Sequence, residues 1–349
     1  MLRYFFEQLI RAGKDGQEER SSPDTMLSVM DSKIHNFDTY IHPLPESKPR
    51  TPFDSPNKDD GKRGAANLTL MQLMKIVPQT LPLFWYISRG SNLYNEAFKP
   101  KQNEVTPKFI KQLEALAYKY GVKDIKYIKV PQNAIFKDKG IPHEYAIVFT
   151  VEMDKEPIST SPSFDSIREV MKGYKNAAII ANKLSQFIRN EGVAAYPGTA
   201  IGGTTDYVHL AELAGLGAIG YHGLLISPTE GARLRIGTIY TNIENLPIQQ
   251  ENEHLWVRDF CAMCKKCVRK CPVSAIYDEP KPRGDGGMQC IDHDLCRDYF
   301  DKNYGCAVCL AVCPFSQVGY DKVKERFKGN PDAPQFIIPL HITESSSSV

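Results

Sequence analysis

The stretch FCAMCKKCVRKCPVSAI, residues 260–276, decides how the C-terminal part of this chain folds. It contains a C-x2-C-x2-C-x3-C-P run, in which three closely spaced thiolates can hold one 4Fe-4S cluster while the fourth reaches a neighbouring cluster. A second run, CRDYFDKNYGCAVCLAVCPF at residues 296–315, ends in the same way, although nine residues separate its first two cysteines. Two such runs predict a module that holds two 4Fe-4S clusters.

The interleaved pattern of such motifs assigns eight of the nine cysteines as iron ligands. The predicted ligands of one cluster, the first cysteine set, are Cys261, Cys264, Cys267 and Cys313; those of the other, the second cysteine set, are Cys271, Cys296, Cys306 and Cys309. Cys290 is left over, and we expect a free thiol there because the second run is complete without it. Disulfides and zinc are the alternatives, but the cysteine-free stretch of 260 residues is unlike a secreted disulfide scaffold, and zinc sites rarely use four close cysteines ending in Cys-Pro.

The length of 349 residues and the apolar content of 42% indicate a globular chain of about two domains. Because 43 lysines and arginines balance 41 aspartates and glutamates, the net charge of +2 gives no general electrostatic reason to expect binding to DNA or to a membrane. The sequence contains no run of about 18 apolar residues, so it predicts no membrane span. Thiolate-ligated iron suits a reducing compartment, so we expect a cytoplasmic protein.

Composition and periodicity divide the chain into four predicted regions. These are an irregular N-terminal segment at 1–66, a core at 67–254, a ferredoxin-like module at 255–320 and a C-terminal tail at 321–349. Helical and strand patterns alternate in the core, which indicates an α/β or α+β fold.

Several elements of the core can be predicted individually. A helix that begins near Leu68 is expected to be broken by Pro78 and Pro82. The other expected elements are helices at 106–120, 163–192 and 206–214, and strands at 122–130, 144–153 and 232–243. The strand at 144–153 is apolar enough to be central in a sheet.

The turn GLGAIGYHG, residues 215–223, contains the pattern G-x-G-x-x-G. In a dinucleotide-binding fold this pattern follows a strand and opens a helix, whereas here a helix precedes it and a strand follows. We therefore do not expect nicotinamide binding. Glycines without a Cβ can let a flat or bulky ligand approach the backbone closely, and the alternative interpretation is a tight connection with no ligand.

Residues 163–317, which include TTDYVHLAELAGLGAIGYHGLLISP and both cysteine runs, resemble the cobalamin-dependent reductive dehalogenases and the related epoxyqueuosine reductases. The resemblance implies a nitroreductase-like α/β core that binds cobalamin or another corrinoid base-off, with the ferredoxin-like module packed against it. It also implies that the glycine turn contacts the corrinoid, through Gly215, Gly217, Gly220, His222 and Gly223. No D-x-H-x-x-G stretch offers a histidine to cobalt, which fits a base-off corrinoid and equally fits no corrinoid.

The resemblance further implies catalysis by a tyrosine on the long helix and a basic residue on the strand after the glycine turn. Tyr174 in GYKNAAIIANKLSQFIRNEG matches the tyrosine. Arg233 in GARLR matches the basic residue best, and Arg235 is the alternative because both side chains leave the strand on one face. A phenol can protonate a nascent carbanion, and a guanidinium can stabilise anionic charge. Without the resemblance, Tyr174 would be interpreted as a core aromatic residue and Arg233 as a surface or phosphate-facing one.

The cysteine motifs predict an iron–sulfur protein, and the resemblance implies that it is a corrinoid-dependent reductase that removes halide from a small organohalide. A low-potential ferredoxin or flavodoxin is the expected electron donor. Lys265, Lys266, Arg269 and Lys270 could guide an acidic donor to Cys264, or they could simply be solvated helix charges.

Two alternatives remain at this point. A tRNA-modifying enzyme like epoxyqueuosine reductase is disfavoured because the acidic residue of the Val-Asp-Thr segment in those enzymes falls near Ile201 here, and Asp206 comes too late in the chain. A ferredoxin-type electron carrier would need little beyond residues 255–320. Respiratory dehalogenases usually carry a twin-arginine export signal, and the N-terminal residues show no twin-arginine pair.

Overall fold

A four-stranded antiparallel sheet forms the centre of the computed structural model, which describes residues 33–34, 37, 40–49, 68–94, 98–249 and 251–328. Its strands are β1 (Val122–Lys129), β2 (Tyr145–Glu152), β3 (Ala195–Pro197) and β6 (Leu234–Thr241), in the order β1-β2-β6-β3. Every neighbouring pair is antiparallel. The core is therefore α+β, and the prediction of a central strand at 144–153 is confirmed because β2 lies between β1 and β6.

Five helices accompany this sheet in the described part of the core. They are α1 (Leu70–Leu93), α2 (Pro107–Lys119), α3 (Lys155–Ser159), α4 (Phe164–Asn190) and α5 (Tyr207–Leu213). The predicted helices at 106–120, 163–192 and 206–214 are confirmed as α2, α4 and α5. The start of α4 is fixed by a capping box, in which Ser163 and Ser166 each accept the other's backbone N–H at 3.1 Å.

The prediction that Pro78 and Pro82 break the first helix is wrong, because α1 runs through both prolines. Each interior proline removes one backbone hydrogen bond and costs about 3 kcal/mol in an isolated helix. Tertiary packing offsets that cost here, since Leu83 and Ile87 are buried in a cluster with Ala178 of α4. A side chain on Gly90 would meet Asn182 at 3.2 Å, so the two helices pack closely.

The core is built as three layers, with helices on both faces of the sheet. One face packs against α2 and α4 in a cluster that includes Leu113, Phe149 and Leu184, all fully buried. The other face packs against α5 in a cluster that includes Val148 and Leu210. Helix α4 is thus covered by the sheet on one side and by α1 on the other, which fixes the position of the helix.

The glycine turn forms a small hairpin, β4 (Ala218–Ile219) paired with β5 (Leu225–Ile226). The predicted strand at 232–243 is confirmed as β6. The C-terminal module follows, with a hairpin of β7 (Ile276–Pro282) and β8 (Met288–Ile291) and six short helices. These are α6 (Val257–Cys264), α7 (Lys266–Lys270), α8 (His293–Lys302), α9 (Val308–Val312), α10 (Pro314–Gln317) and α11 (Tyr320–Lys328).

The module and the sheet core share one continuous hydrophobic cluster. Met153 after β2 and Val170 of α4 pack in it together with Phe315 and Tyr320 of the module. Helix α11 joins this cluster, so residues 321–328 of the predicted tail are an integral part of the fold. Residues 329–349 lie outside the described residues, as does most of the predicted irregular segment at 1–66, of which residues 40–49 are described without a helix.

The sheet predicts a specific sensitivity at Gly237 of β6, which lies directly opposite Phe149 of β2. A Cβ at this position would overlap the Phe149 ring. We expect Gly237→Ala to lower the free energy of unfolding by about 1–3 kcal/mol through overpacking. Urea unfolding followed by circular dichroism measures this, with Gly284→Ala as the matched control because a Cβ there meets nothing within 4 Å. Equal stability of the two variants would contradict the packing of β6 on β2.

Candidate functional site

The first cysteine set surrounds one small cavity, which His222 of the glycine turn also lines. Cys261 and Cys264 lie on α6, Cys267 lies on α7, and Cys313 directly precedes α10. Segments about fifty residues apart therefore converge at this point, as the interleaved motif predicts.

Burial raises the pKa of the Cys261 and Cys313 thiols. Nearby backbone N–H groups oppose that rise, that of Tyr221 at Cys261 and those of Phe315 and Ser316 at Cys313. Burial raises the pKa of the Cys313 thiol to about 12, so without metal this thiol stays neutral near pH 7. Metal ligation deprotonates such thiols, and the N–H donors then stabilise the thiolates that result.

The second cysteine set is also brought together. Burial, together with charge repulsion from Cys271 and Cys306, raises the pKa of Cys296 to about 11, so the three sulfurs are neighbours. Cys309 interacts in the same way with Cys267 of the first set and with Cys296 and Cys306. The backbone N–H of Ala275 donates to Cys271 Sγ at 3.3 Å.

The cysteines thus fit two thiolate-ligated clusters by grouping, burial and hydrogen bonding. No three His, Cys, Asp or Glu side chains of the described residues are arranged to hold a single metal ion. The leftover Cys290 lies on β8, buried, and burial raises the pKa of its thiol to about 12. Its strongest charged neighbours are Arg283 and Arg258, not cysteines of the second set.

The glycines of the turn allow other parts of the chain to pack closely against it. A Cβ on Gly217 would overlap the carbonyl oxygen of Ile226 in β5, and a Cβ on Gly220 would crowd the Ile226 side chain. A Cβ on Gly223 would lie 3.3 Å from that of Cys290, and one on Gly215 would lie 3.3 Å from Gln249 Oε1. Packing within the chain thus explains these glycines, and their contact with a corrinoid stays a prediction. A bulky residue at Gly217 would disturb the hairpin whether or not a corrinoid binds.

Tyr174 on α4 is paired with Arg235 of β6, whose guanidinium carbon lies 4.4 Å from the centre of the phenol ring. The stem of Arg235 passes Gly173, where a Cβ would lie 3.0 Å from Arg235 Cγ. Arg235 Nε is buried and has no hydrogen-bond partner among the described residues. The geometry thus selects the alternative basic residue of the sequence analysis as the partner of Tyr174.

Arg233 is engaged elsewhere. Its Nη1 donates to the carbonyl oxygen of Met153 at 2.6 Å and pairs with Glu152 at 3.3 Å. Glu230 completes this group, 3.8 Å from Arg233 Nη2, and burial raises the pKa of Glu230 to about 7. Arg233 therefore joins β2 to the turn before β6, and the structure does not bring it to Tyr174. The sequence could not separate the two arginines because both have the same parity on the strand.

The surroundings of Tyr174 are apolar. Tyr174, Ala200 and Ile201 pack against the α1–α4 cluster around Leu83 and Ile87. Tyr174 also packs against the cluster shared with the module, which contains cysteines of both sets. We call the α1–α4 cluster with Ala200 and Ile201 the apolar wall. The ring of Tyr174 thus lies at the junction between the apolar wall and the cysteine sites.

The basic residues around Cys264 are largely used within the module. Lys265 Nζ lies 2.6 Å from a carboxylate oxygen of Asp278, and Lys266 Nζ donates to Gln317 at 2.9 Å. Arg269 donates to the carbonyl oxygen of Cys264 at 2.9 Å. These contacts give the charges a structural use, which leaves their role toward an acidic electron donor a prediction.

Asp206 also has a structural use. It accepts the backbone N–H of His209 at 3.3 Å as the cap of α5, and it pairs with Lys48 at 3.1 Å and Arg283 at 3.4 Å.

A second, more open cleft lies between α1, α2 and α4 and contains no predicted site residue. The residues that line it are Tyr86, Arg89, Leu116, Tyr120, Asn182, Lys183, Gln186, Phe187 and Asn190. No helix of the described residues is long and apolar enough to cross a membrane.

No family model matches the chain. A tetrachloroethene reductive dehalogenase of Dehalobacter restrictus is 37% identical over 196 residues, which are 52% of this chain and 35% of the relative. An epoxyqueuosine reductase of Listeria monocytogenes is 29% identical over 157 residues, 40% of this chain and 38% of the relative. The homologues of this chain are reductive dehalogenases and epoxyqueuosine reductases. Both are oxidoreductases, and the match spans only about a third of their length.

A solved reductive dehalogenase, described in connection with B12-dependent dehalogenation, covers 69% of this chain with a TM-score of 0.57. The alignment covers 38% of that protein at 20% identity. The likeness shows a shared fold over the aligned part of the chain.

Cys296 and Cys290 have different neighbours, so we expect substitution by serine to affect the iron content differently at the two positions. Cys296→Ser removes a sulfur that lies among the second set, so we expect the protein to lose iron from that cluster. Cys290→Ser removes a thiol whose strongest charged neighbours are arginines, so we expect unchanged iron content. Iron analysis after anaerobic reconstitution measures both. Loss of iron from the Cys290 variant alone would exchange the roles of the two residues.

Proposed function

We propose that this protein is an iron–sulfur- and corrinoid-dependent reductase that removes halide from a small organohalide. The observation that carries the proposal is the Tyr174–Arg235 pair, which lies at the junction between an apolar wall and the cysteine module. The homology to tetrachloroethene reductive dehalogenases supports it, and makes tetrachloroethene the first substrate to test.

The overall reaction takes two electrons and one proton, and it replaces a carbon–halogen bond by a carbon–hydrogen bond with release of a halide ion. In the proposal, two 4Fe-4S clusters held by the two cysteine sets carry the electrons one at a time from a low-potential donor. The expected donors remain a ferredoxin or a flavodoxin. The expected location remains the cytoplasm.

A corrinoid enters the proposal from the solved relative with this fold, which is described in connection with B12. When bound, it supplies strongly reducing electrons at the carbon–halogen bond. The glycine turn remains the contact surface that the family resemblance implies, and its glycines also serve packing against Ile226 and Cys290. The proposed chemistry is derived from the side chains around Tyr174.

Tyr174 would supply the proton from its phenolic oxygen. Arg235 places a positive charge against the ring, where it stabilises negative charge that develops during proton transfer. Its buried, unpartnered Nε can also donate to a departing halide ion. The apolar residues Ala200 and Ile201 suit a substrate with few polar groups, as a chlorinated alkene is.

A second candidate function is the reduction of epoxyqueuosine in tRNA, which the homology to epoxyqueuosine reductases supports. Against it, the position at which those enzymes are expected to carry an acidic residue falls near Ile201, and Asp206 is committed to the α5 cap and two ion pairs. An assay with epoxyqueuosine-containing tRNA separates the two candidates directly.

The two cysteine sets predict about eight iron atoms per chain after anaerobic reconstitution, since each 4Fe-4S cluster holds four. Iron and sulfide analysis with the visible spectrum checks this. A content near four would leave only one cluster and would remove the two-cluster electron path from the proposal.

The Tyr174–Arg235 pair predicts a hierarchy of activity losses. Tyr174→Phe keeps the ring and removes the proton, so turnover should fall by about 10²–10⁴-fold while stability changes little. Arg235→Gln should also lower turnover by weakening anion stabilisation. The measurement is chloride release from tetrachloroethene with a low-potential reductant, after iron and corrinoid content have been matched.

Arg233→Gln is the control for this series, because Arg233 bonds Met153 and Glu152 and not Tyr174. We expect it to lower stability more than turnover. A larger loss of turnover in Arg233→Gln than in Arg235→Gln would reverse the assignment. Full activity of Tyr174→Phe would return Tyr174 to the role of a packing residue.

A further inference from the structure

We propose that His222 donates a hydrogen bond from Nε2 to a sulfur of the cluster held by the first cysteine set, and so raises the reduction potential of that cluster. The inference rests on one part of the proposed function, namely that this set holds a 4Fe-4S cluster. It gives His222 a positioning and tuning role toward iron–sulfur chemistry, which is separate from the corrinoid contact expected from the sequence.

The position of the proton on His222 follows from its backbone partner. The N–H of Leu224 donates to Nδ1 of His222 at 3.1 Å. A ring nitrogen that accepts a hydrogen bond carries no proton, so the neutral imidazole holds its single proton on Nε2. The ring is thus fixed as a donor by the tight turn of the β4–β5 hairpin.

This donor has no protein acceptor. Only 4% of His222 is exposed, and Nε2 is buried without a hydrogen-bond partner among the described residues. A buried N–H without an acceptor is costly, so such groups are rare in folded proteins and indicate a missing partner. The partner must be an acceptor within the largely apolar cavity that His222 lines.

The cavity of the first cysteine set supplies that partner. His222 lines this cavity together with the four cysteines. The preceding residue, Tyr221, is buried in one cluster with Cys261, Cys267 and Cys313, which places the turn beside the set. A Cβ on Gly220 would lie only 3.4 Å from Nε2 of His222. Because glycine has no Cβ, this edge of the ring stays uncrowded. Thiolate and sulfide sulfurs accept such hydrogen bonds in iron–sulfur proteins.

The direction of the effect follows from charge. One-electron reduction makes the cluster more negative, and an N–H donor stabilises the more negative state. Removal of the Nε2–H should therefore shift the reduction potential of the first cluster to a more negative value. The second cluster, held by the second cysteine set, should keep its potential and provides an internal reference.

Two variants separate the donor from the turn that holds it. His222→Asn keeps an oxygen that can accept the Leu224 N–H, but its side chain is too short to reach the cavity. His222→Gln places an N–H close to where Nε2 lies. We expect a more negative potential of the first cluster in His222→Asn and a potential close to wild type in His222→Gln.

The experiment uses the full chain after anaerobic reconstitution with iron and sulfide, and follows a reductive titration by EPR. The Cys296→Ser protein identifies the signals of the second cluster. In wild-type protein with 15N-labelled histidine, pulsed EPR should also show a nitrogen coupling to the reduced first cluster that is absent from His222→Asn.

An unchanged potential in His222→Asn, or no nitrogen coupling in the wild type, overturns the inference while the clusters themselves stand. Equal negative shifts in the Asn and Gln variants also overturn it, because they would show that the turn and not the donor matters. The nitrogen measurement needs no variant, so the test survives if His222→Asn fails to assemble. A wild-type protein that takes up no iron overturns the proposed function and this inference with it.

Discussion

The burial of cysteine sulfurs against the sheet core is the constraint on which the rest of the structure depends. Neutral thiols and apolar side chains from the end of β2, from α4 and from the module form one continuous cluster around Phe315 and Tyr320. Because this cluster crosses the boundary between core and module, the module cannot be oriented independently. The cysteine sites and α4 are therefore held in fixed positions relative to one another.

That arrangement places the proposed proton donor beside the proposed electron-carrying module. Helix α4 is long, capped at Ser163, and packed between the sheet and α1. Tyr174 on this helix is half-buried, faces Arg235 from the sheet and packs near the cysteine module. A group placed by two rigid elements in this way is held more precisely than one on a loop, which is what proton transfer requires.

The glycine turn joins the sheet core to the cysteine module. Its glycines let β4 and β5 approach each other and let the turn lie against Cys290. The consequence is chemical as well as structural, because the turn packs Tyr221 in one cluster with Cys261 and brings His222 to the same cavity. Backbone and ring donors around buried sulfurs are the means by which a protein adjusts an iron–sulfur site.

The sequence by itself determined the cysteine motifs, their interleaved grouping, the helices α2, α4 and α5 and the central position of β2, because spacing and periodicity are local properties. The path of α1 through Pro78 and Pro82 was decided by packing of Leu83 and Ile87, which no local rule for proline contains. Likewise only the tertiary structure separated Arg235 from Arg233. Two residues of equal parity on one strand differ in function only through their neighbours, and those neighbours come from α4 and from the end of β2.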